Sequence, residues 1–292
     1  MNVFDNPDNF PPILFHAWEY LNVKGPSSLE SMISDLAPPS FAKTAQDNVS
    51  GTIRLGIRIQ LFTESEGLIG NSDRIAKCDD YSNFHRVVRD IYFDQKVNPF
   101  DKVNENKGNL QLAAAWFFSF PYAKTPGNWD EALKVLPEDF TVDRDEWPIP
   151  NPTQWEGFRR WMLFMGLAVG VVGKGPKDGT TVKMLIRPSI SEMLEDVVIS
   201  ELSSKDTPLD HLLSALTIRM PSFPGGDVWN RLPESSKSRT PRNNSLLAET
   251  LRSLDSRGII NLKKTADSSH RQVFEVDTGD FIFDVVSKGG TL

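Results

Sequence analysis

Apolar residues recur at helical spacing from the first clear segment of the chain. Ile13, Leu14, Ala17, Trp18 and Leu21 share one face of a helix opened by Pro11 and Pro12. Proline suits that position because the first helical amides lack acceptors anyway. Gly25-Pro26 stops this helix, and Ser28 then caps a shorter one with Leu29, Met32, Ile33 and Leu36 in register. A third helix is expected from Ser50, carrying Ile53, Ile57, Leu61 and Leu68, with Gly67 turning it into a strand at Leu68-Ile69. RIQLF also alternates, but the helical period fits this stretch better, and RIAKCDDY offers a partner strand of poor quality.

The middle of the chain reads as helical. Phe84, Val87, Val88, Ile91 and Tyr92 are in register, LQLAAAWFFSF is a short apolar block that fits a buried helix, and Trp129, Ala132, Leu133 and Leu136 give another. Pro148, Pro150 and Pro152 then bias the backbone toward extended structure, so a boundary falls near 145–152. A helix with Trp155, Phe158, Met162 and Met165 follows. VGVVGKGPKDGTTVKMLIRP reads as strand, glycine-rich turn and strand. Amphipathic helices are expected at 189–202 and 208–219. Near the C-terminus Asn244 and its neighbours offer an N-cap, Leu247, Leu251 and Leu254 share a face, and Gly258 is a stop. Strands are expected at about 259–265 and 271–276, pairing across the polar turn DSSH.

The fold class is therefore mainly α with small β-hairpins. Three helices and a hairpin is the winged-helix plan, so the chain reads as two or more winged-helix-like units joined by a helical region. The segments are 1–80 (winged-helix-like), 81–147 (helical bridge), 148–207 (helix plus hairpin) and 208–292 (a C-terminal winged helix). Seven Trp and eighteen Phe supply enough large apolar side chains for real cores, which excludes a wholly disordered chain.

Composition removes whole classes of function. The single Cys78 excludes a disulfide framework and a cysteine zinc cluster. The four histidines, His16, His85, His211 and His270, are scattered. No apolar run is long enough for a membrane span, and the first residues have no basic and apolar regions of a signal peptide, so a cytoplasmic protein without membrane contact is expected. No cofactor and no metal is expected. The glycine-rich stretch 170–179 fails as a phosphate loop, because Gly175 follows Gly173-Lys174 where Ser or Thr is needed and Ala168 stands in place of the first glycine. It reads as a hairpin turn whose Lys174 and Lys177 could touch a polyanion. There is no GxSxG, Cys78 and His85 carry no supporting signature, and paired acids such as Asp79-Asp80 lack calcium-loop spacing. Arg54 and Arg58 read as solvated charges, and the Trp/Phe clusters as core.

Charge is uneven. The net charge is −7, yet residues 237–272 carry eight Lys and Arg against three acids. A polyanion-binding surface over the whole chain is opposed by long-range repulsion, which leaves one local basic patch. Its members are Lys237, Arg239, Arg242, Asn244, Arg252, Lys263, Lys264, His270 and Arg271. In a winged helix, the helix before the hairpin lies in the DNA major groove and the hairpin approaches phosphate. Glu249 and Asp255 on that helix oppose tight DNA contact, and many such domains bind protein alone.

The order of units resembles accessory proteins of bacterial defence and DNA-modification gene clusters. FPPILFHAWEYL, RIQLF and SLLAETLRSLDSRGII resemble DpdG proteins of the 7-deazaguanine DNA modification and restriction system. The resemblance implies a non-enzymatic subunit working beside other protein subunits on foreign DNA, as in antiviral defence, with weak duplex contact through the basic patch. A winged-helix transcriptional regulator and an enzyme with dispersed carboxylates are the alternatives. One outcome tests the reading of the glycine-rich turn: calorimetry with ATP should show no binding in the micromolar range, and a site at 170–179 would overturn it.

Overall fold

The computed structural model describes residues 10–76, 78–93, 105–141, 143–144, 147–174, 182–203, 205–238, 245–264, 272–276 and 279–289. Its helices and strands run α1 (Pro11–Lys24), α2 (Leu29–Leu36), α3 (Lys43–Arg58), β1 (Phe62–Ser65), β2 (Leu68–Asn71) and α4 (Tyr81–Phe93). Then come α5 (Glu105–Phe118), α6 (Trp129–Asp139), α7 (Pro152–Phe164), β3 (Ala168–Lys174), β4 (Val182–Pro188) and α8 (Ser191–Glu201). The chain ends with β5 (Thr207–Pro208), α9 (Leu209–Arg219), α10 (Glu234–Lys237), α11 (Ser245–Ser256), β6 (Ile260–Lys263), β7 (Gln272–Val276), β8 (Gly279–Phe283) and β9 (Val285–Lys288). Helix predominates and the strands pair antiparallel, so the chain is mainly α with small β-hairpins. No described helix is long and apolar enough to cross a membrane. The residues pack as two compact units, one of Met1–Leu110 with Ile149–Met165, the other of Gln111–Pro148 with Gly166–Leu292.

The first unit is built on aromatic packing. Leu14, Ala17, Trp18 and Leu21 of α1 are buried, as the spacing requires. The Phe84 ring of α4 lies 5.4 Å from Trp18, 5.5 Å from Phe15 and 6.4 Å from Phe164 of α7, centroid to centroid. Such edge and tilted contacts add about 0.5–1.5 kcal/mol per pair beyond area burial. Ser28 caps α2 by accepting from the Ser31 amide at 3.2 Å. Helix α3 starts at Lys43, earlier than Ser50, and ends at Arg58. Phe62 to Asn71 is not a helical continuation but a hairpin: β1 pairs with β2 across Glu66-Gly67, both left-handed in φ. That two-residue turn matches strand twist. The partner strand thus lies inside the stretch expected to be helical, not at RIAKCDDY. The hairpin folds back because Gly56 has no side chain: the Phe62 ring edge occupies the space a Cβ would need.

The hairpin is tied to the helices by backbone. Ser27, between α1 and α2, exchanges both hydrogen bonds with Ile69, at 3.0 and 2.8 Å. The order is therefore Ser27, β2, β1, with the second hairpin strand in the middle.

In the second unit, α5 is buried on every side from Ala113 to Phe118. A helix apolar all round belongs in a core. The Trp116 indole donates to the Asp139 carboxylate at 2.7 Å, which satisfies two buried polar groups at once. Asn128 caps α6 by accepting from the Glu131 amide, and Glu131 reaches back to accept from the Gly127 amide at 2.7 Å. Hairpin β3–β4 forms as expected. The Ile186 amide donates to the Gly127 carbonyl at 3.0 Å, so the extended residue before α6 meets the second strand of a hairpin, as Ser27 does.

The C-terminal part repeats the theme. Strand β5, just before α9, pairs with β9, and β6, just after α11, pairs with β9 on its other side, giving the order β5-β9-β6. The expected pairing of 259–265 with 271–276 is corrected here. β6 pairs with β9, and β7 pairs with β8 in a separate ribbon interposed between them. The reason is burial: Val286 of β9 is fully buried, so β9 completes the core while β7 takes its nearest neighbour in sequence. Helix α11 ends before Gly258, whose φ is +71.

Two glycine variants separate close approach from backbone conformation. Gly56→Ala should cost about 1–3 kcal/mol, because the Phe62 ring must move. Gly258→Ala, with open space around it, should cost about 1 kcal/mol through its left-handed φ alone. Urea unfolding checks both.

Candidate nucleic-acid and protein interface at the C-terminal unit

Helix α11 is amphipathic as its leucines require. Leu246, Leu247, Ala248, Leu251 and Leu254 are buried, and the Thr250 hydroxyl is satisfied by the Leu246 carbonyl at 2.7 Å. Glu249, Arg252, Ser253, Asp255 and Ser256 are exposed. The outward face thus carries two acids and one base. A phosphate-binding helix needs the opposite balance.

Of the residues picked out in the sequence, Arg252, Lys263 and Lys264 lie in described structure, as does Lys237; Arg239, Arg242, Asn244, His270 and Arg271 lie outside the described residues, with the DSSH turn. Arg252 is on the outer face of α11. Lys263, at the end of β6, donates to the Asp206 carboxylate at 2.6 Å, and both side chains are half-exposed. Lys264 is exposed just past β6. Lys237 is engaged by Glu234 at 2.5 Å and by the Asn230 carbonyl at 3.1 Å. The structure therefore gives Lys263 and Lys237 acidic partners.

Sequence reading missed those acids. Asp206 lies 57 residues from Lys263, and Glu195, which pairs with Arg257, lies 62 residues from it. No spacing rule reaches so far. Asp255 has a backbone role as well: its carboxylate accepts from the Leu262 amide at 2.9 Å, fixing the exit from α11 into β6.

Beside the N-terminal half of α11 opens a cleft of about 240 Å³, lined among others by Tyr122, Val169, Ser191, Leu246, Glu249 and Ser253. Its carboxylate and hydroxyls suit a cation or a hydrogen-bonding side chain better than a phosphate. Among the described residues no group of three or more His, Cys, Asp or Glu side chains is gathered to hold a metal ion.

A family model described as DpdG-like matches residues 1–268. The chain belongs to the DpdG-like family. The match spans α11 and β6 and ends before β7. No curated protein and no solved structure matches the chain. Family membership points to involvement in the Dpd DNA-modification system, which has several components, and so to protein partners.

The exposed ion pairs contribute little to stability, since such pairs are worth about 0–1 kcal/mol. Lys263→Glu combined with Lys264→Glu should therefore leave the fold intact, with circular dichroism unchanged and a melting temperature within a few degrees of the parent. Loss of cooperative unfolding would show that these lysines hold the sheet together.

Proposed function

We propose that the chain is a non-enzymatic winged-helix subunit of a multi-protein bacterial DNA-modification or anti-phage system, which contacts partner proteins and, more weakly, DNA. The observation that carries this reading is the recurring order helix, extended residue, helix, helix, hairpin, in which the extended residue meets the second hairpin strand. It occurs around Ser27 and Ile69, and again as β5-β9-β6. That strand order is what a winged helix requires, with the wing reaching out between its last two strands. On this reading the β7–β8 ribbon of the C-terminal part is the wing; its placement between β6 and β9 in the chain supports that.

Electrostatics favours protein contact over DNA contact. The α11 face is mixed in sign, Asp206 neutralises Lys263, and the net charge of −7 repels a polyanion at long range. DNA contact then falls to Lys264 and Arg252 together with the basic residues Arg239, Arg242, His270 and Arg271, and with the amide of Asn244, which flank α11 and the β7–β8 ribbon in sequence.

Fluorescence anisotropy with duplex DNA at several salt concentrations tests this. Binding should be sequence-independent, with a dissociation constant of about 10⁻⁴–10⁻⁶ M. Lys264→Glu should flatten the slope of log affinity against log salt by about one, and Lys263→Glu by less, because Asp206 already compensates it. Nanomolar, sequence-specific binding would favour a transcriptional regulator. Equal slopes for both variants and the parent would remove DNA from the role of this patch.

A further inference from the structure

Hairpin β3–β4 is more apolar than a two-stranded ribbon allows. Its strands read AVGVVGK and VKMLIRP. β3 runs apolar up to Lys174, as strands covered by neighbours do, whereas β4 carries Lys183 and Arg187. The cover reaches one end only: on the face shared by Ala168, Val172, Met184 and Ile186, Ala168 and Ile186 are buried, whereas Val172 is 77 % and its register partner Met184 55 % exposed. These are two of the ten large exposed apolar side chains among the described residues, side by side on one face of the hairpin.

The outer edge of β3 is open as well. Among the described residues its strand partner is β4 alone, and no other backbone group bonds to it. A seven-residue edge with its first charge at Lys174 lacks the charges and prolines that normally protect edges from pairing.

We propose that this edge pairs with a second copy of the chain, forming a symmetric dimer in which two β3 strands run antiparallel about Val171. The sequence of the strand fits itself in that register. Gly170 stands opposite Val172 of the other copy, and Gly173 opposite Val169, so Val172 and Val169 each face a position with no side chain. Val171 faces its own counterpart on the two-fold axis. Lys174, the one charged residue of β3, stands opposite Ala168, so no like charges oppose. The interface is isologous, the usual arrangement for homodimers. The product is a four-stranded sheet, β4-β3-β3-β4, that joins the two Val172–Met184 faces. A seven-residue edge is small beside a standard interface of about 1,200–2,000 Å², so the association is reversible at micromolar concentration.

Sedimentation velocity on the full chain over about 1–100 μM should show a monomer–dimer equilibrium. Val172→Glu, at a position exposed in the monomer, should weaken it at least about tenfold while leaving circular dichroism unchanged. Register is tested by oxidation in a Cys78→Ser background. Val171→Cys should form a covalent dimer, because directly opposed residues on antiparallel strands lie about 4.5–5.5 Å apart between Cα atoms, within disulfide reach. Val169→Cys, facing Gly173, should not. A monomer throughout the concentration range overturns the proposal, as does a dimer that cross-links at Val169 and not at Val171.

Discussion

A short length of backbone pairing holds this architecture together. Three helices can pack on one another, but a hairpin that follows them has no reason to stay close unless something ties it down. Here the tie is the extended segment ahead of the second helix, which bonds to the second strand of the hairpin: Ser27 to Ile69, and Thr207-Pro208 to Pro208's and Thr207's partners Val285 and Val286. The pairing fixes which strand lies in the middle and which is left to reach outward. It also explains why Gly56 has no side chain, since a hairpin held at Ile69 must bring Phe62 down onto α3. With the tie in place, the helix before the hairpin keeps one face in solvent, as the exposed Glu249, Arg252 and Asp255 of α11 do.

Much of this was legible from residue spacing, because helices bury a periodic stripe. The stripes at Leu14-Ala17-Trp18-Leu21 and Leu247-Leu251-Leu254 are buried as read, and Ser28 caps as expected. Among strand partners, β3 and β4 were legible and the others were not. Phe62–Ser65 was concealed in a stretch whose apolar residues also fit a helix, and only the close approach over Gly56 decides between them. Pairing of β6 with β9 across an interposed ribbon is a long-range choice made by burial of Val286, and local turn chemistry such as DSSH points to the nearer partner instead.

The basic patch shows a similar limit. Counting charges along residues 237–272 gives an excess of bases, but the fold sets Asp206 against Lys263 and Glu195 against Arg257 from other elements. Local charge in sequence is thus a poor guide to local potential on a surface, where neighbours come from distant segments. The acids on the outer face of α11, Glu249 and Asp255, were visible in the sequence. Asp255 also serves the chain itself, by holding the Leu262 amide.

The placement of β9 has a kinetic consequence. The tie at Ser27 closes over 42 residues and is complete once Ile69 is in place. The C-terminal sheet must wait for Val285 and Val286, almost the last described residues, before β5 and β6 acquire their shared neighbour. The β5–β9 pairing spans 79 residues against 42 for Ser27 and Ile69, and pairings of larger sequence separation form more slowly. Until then α9 and α11 expose the leucines that this sheet helps to cover.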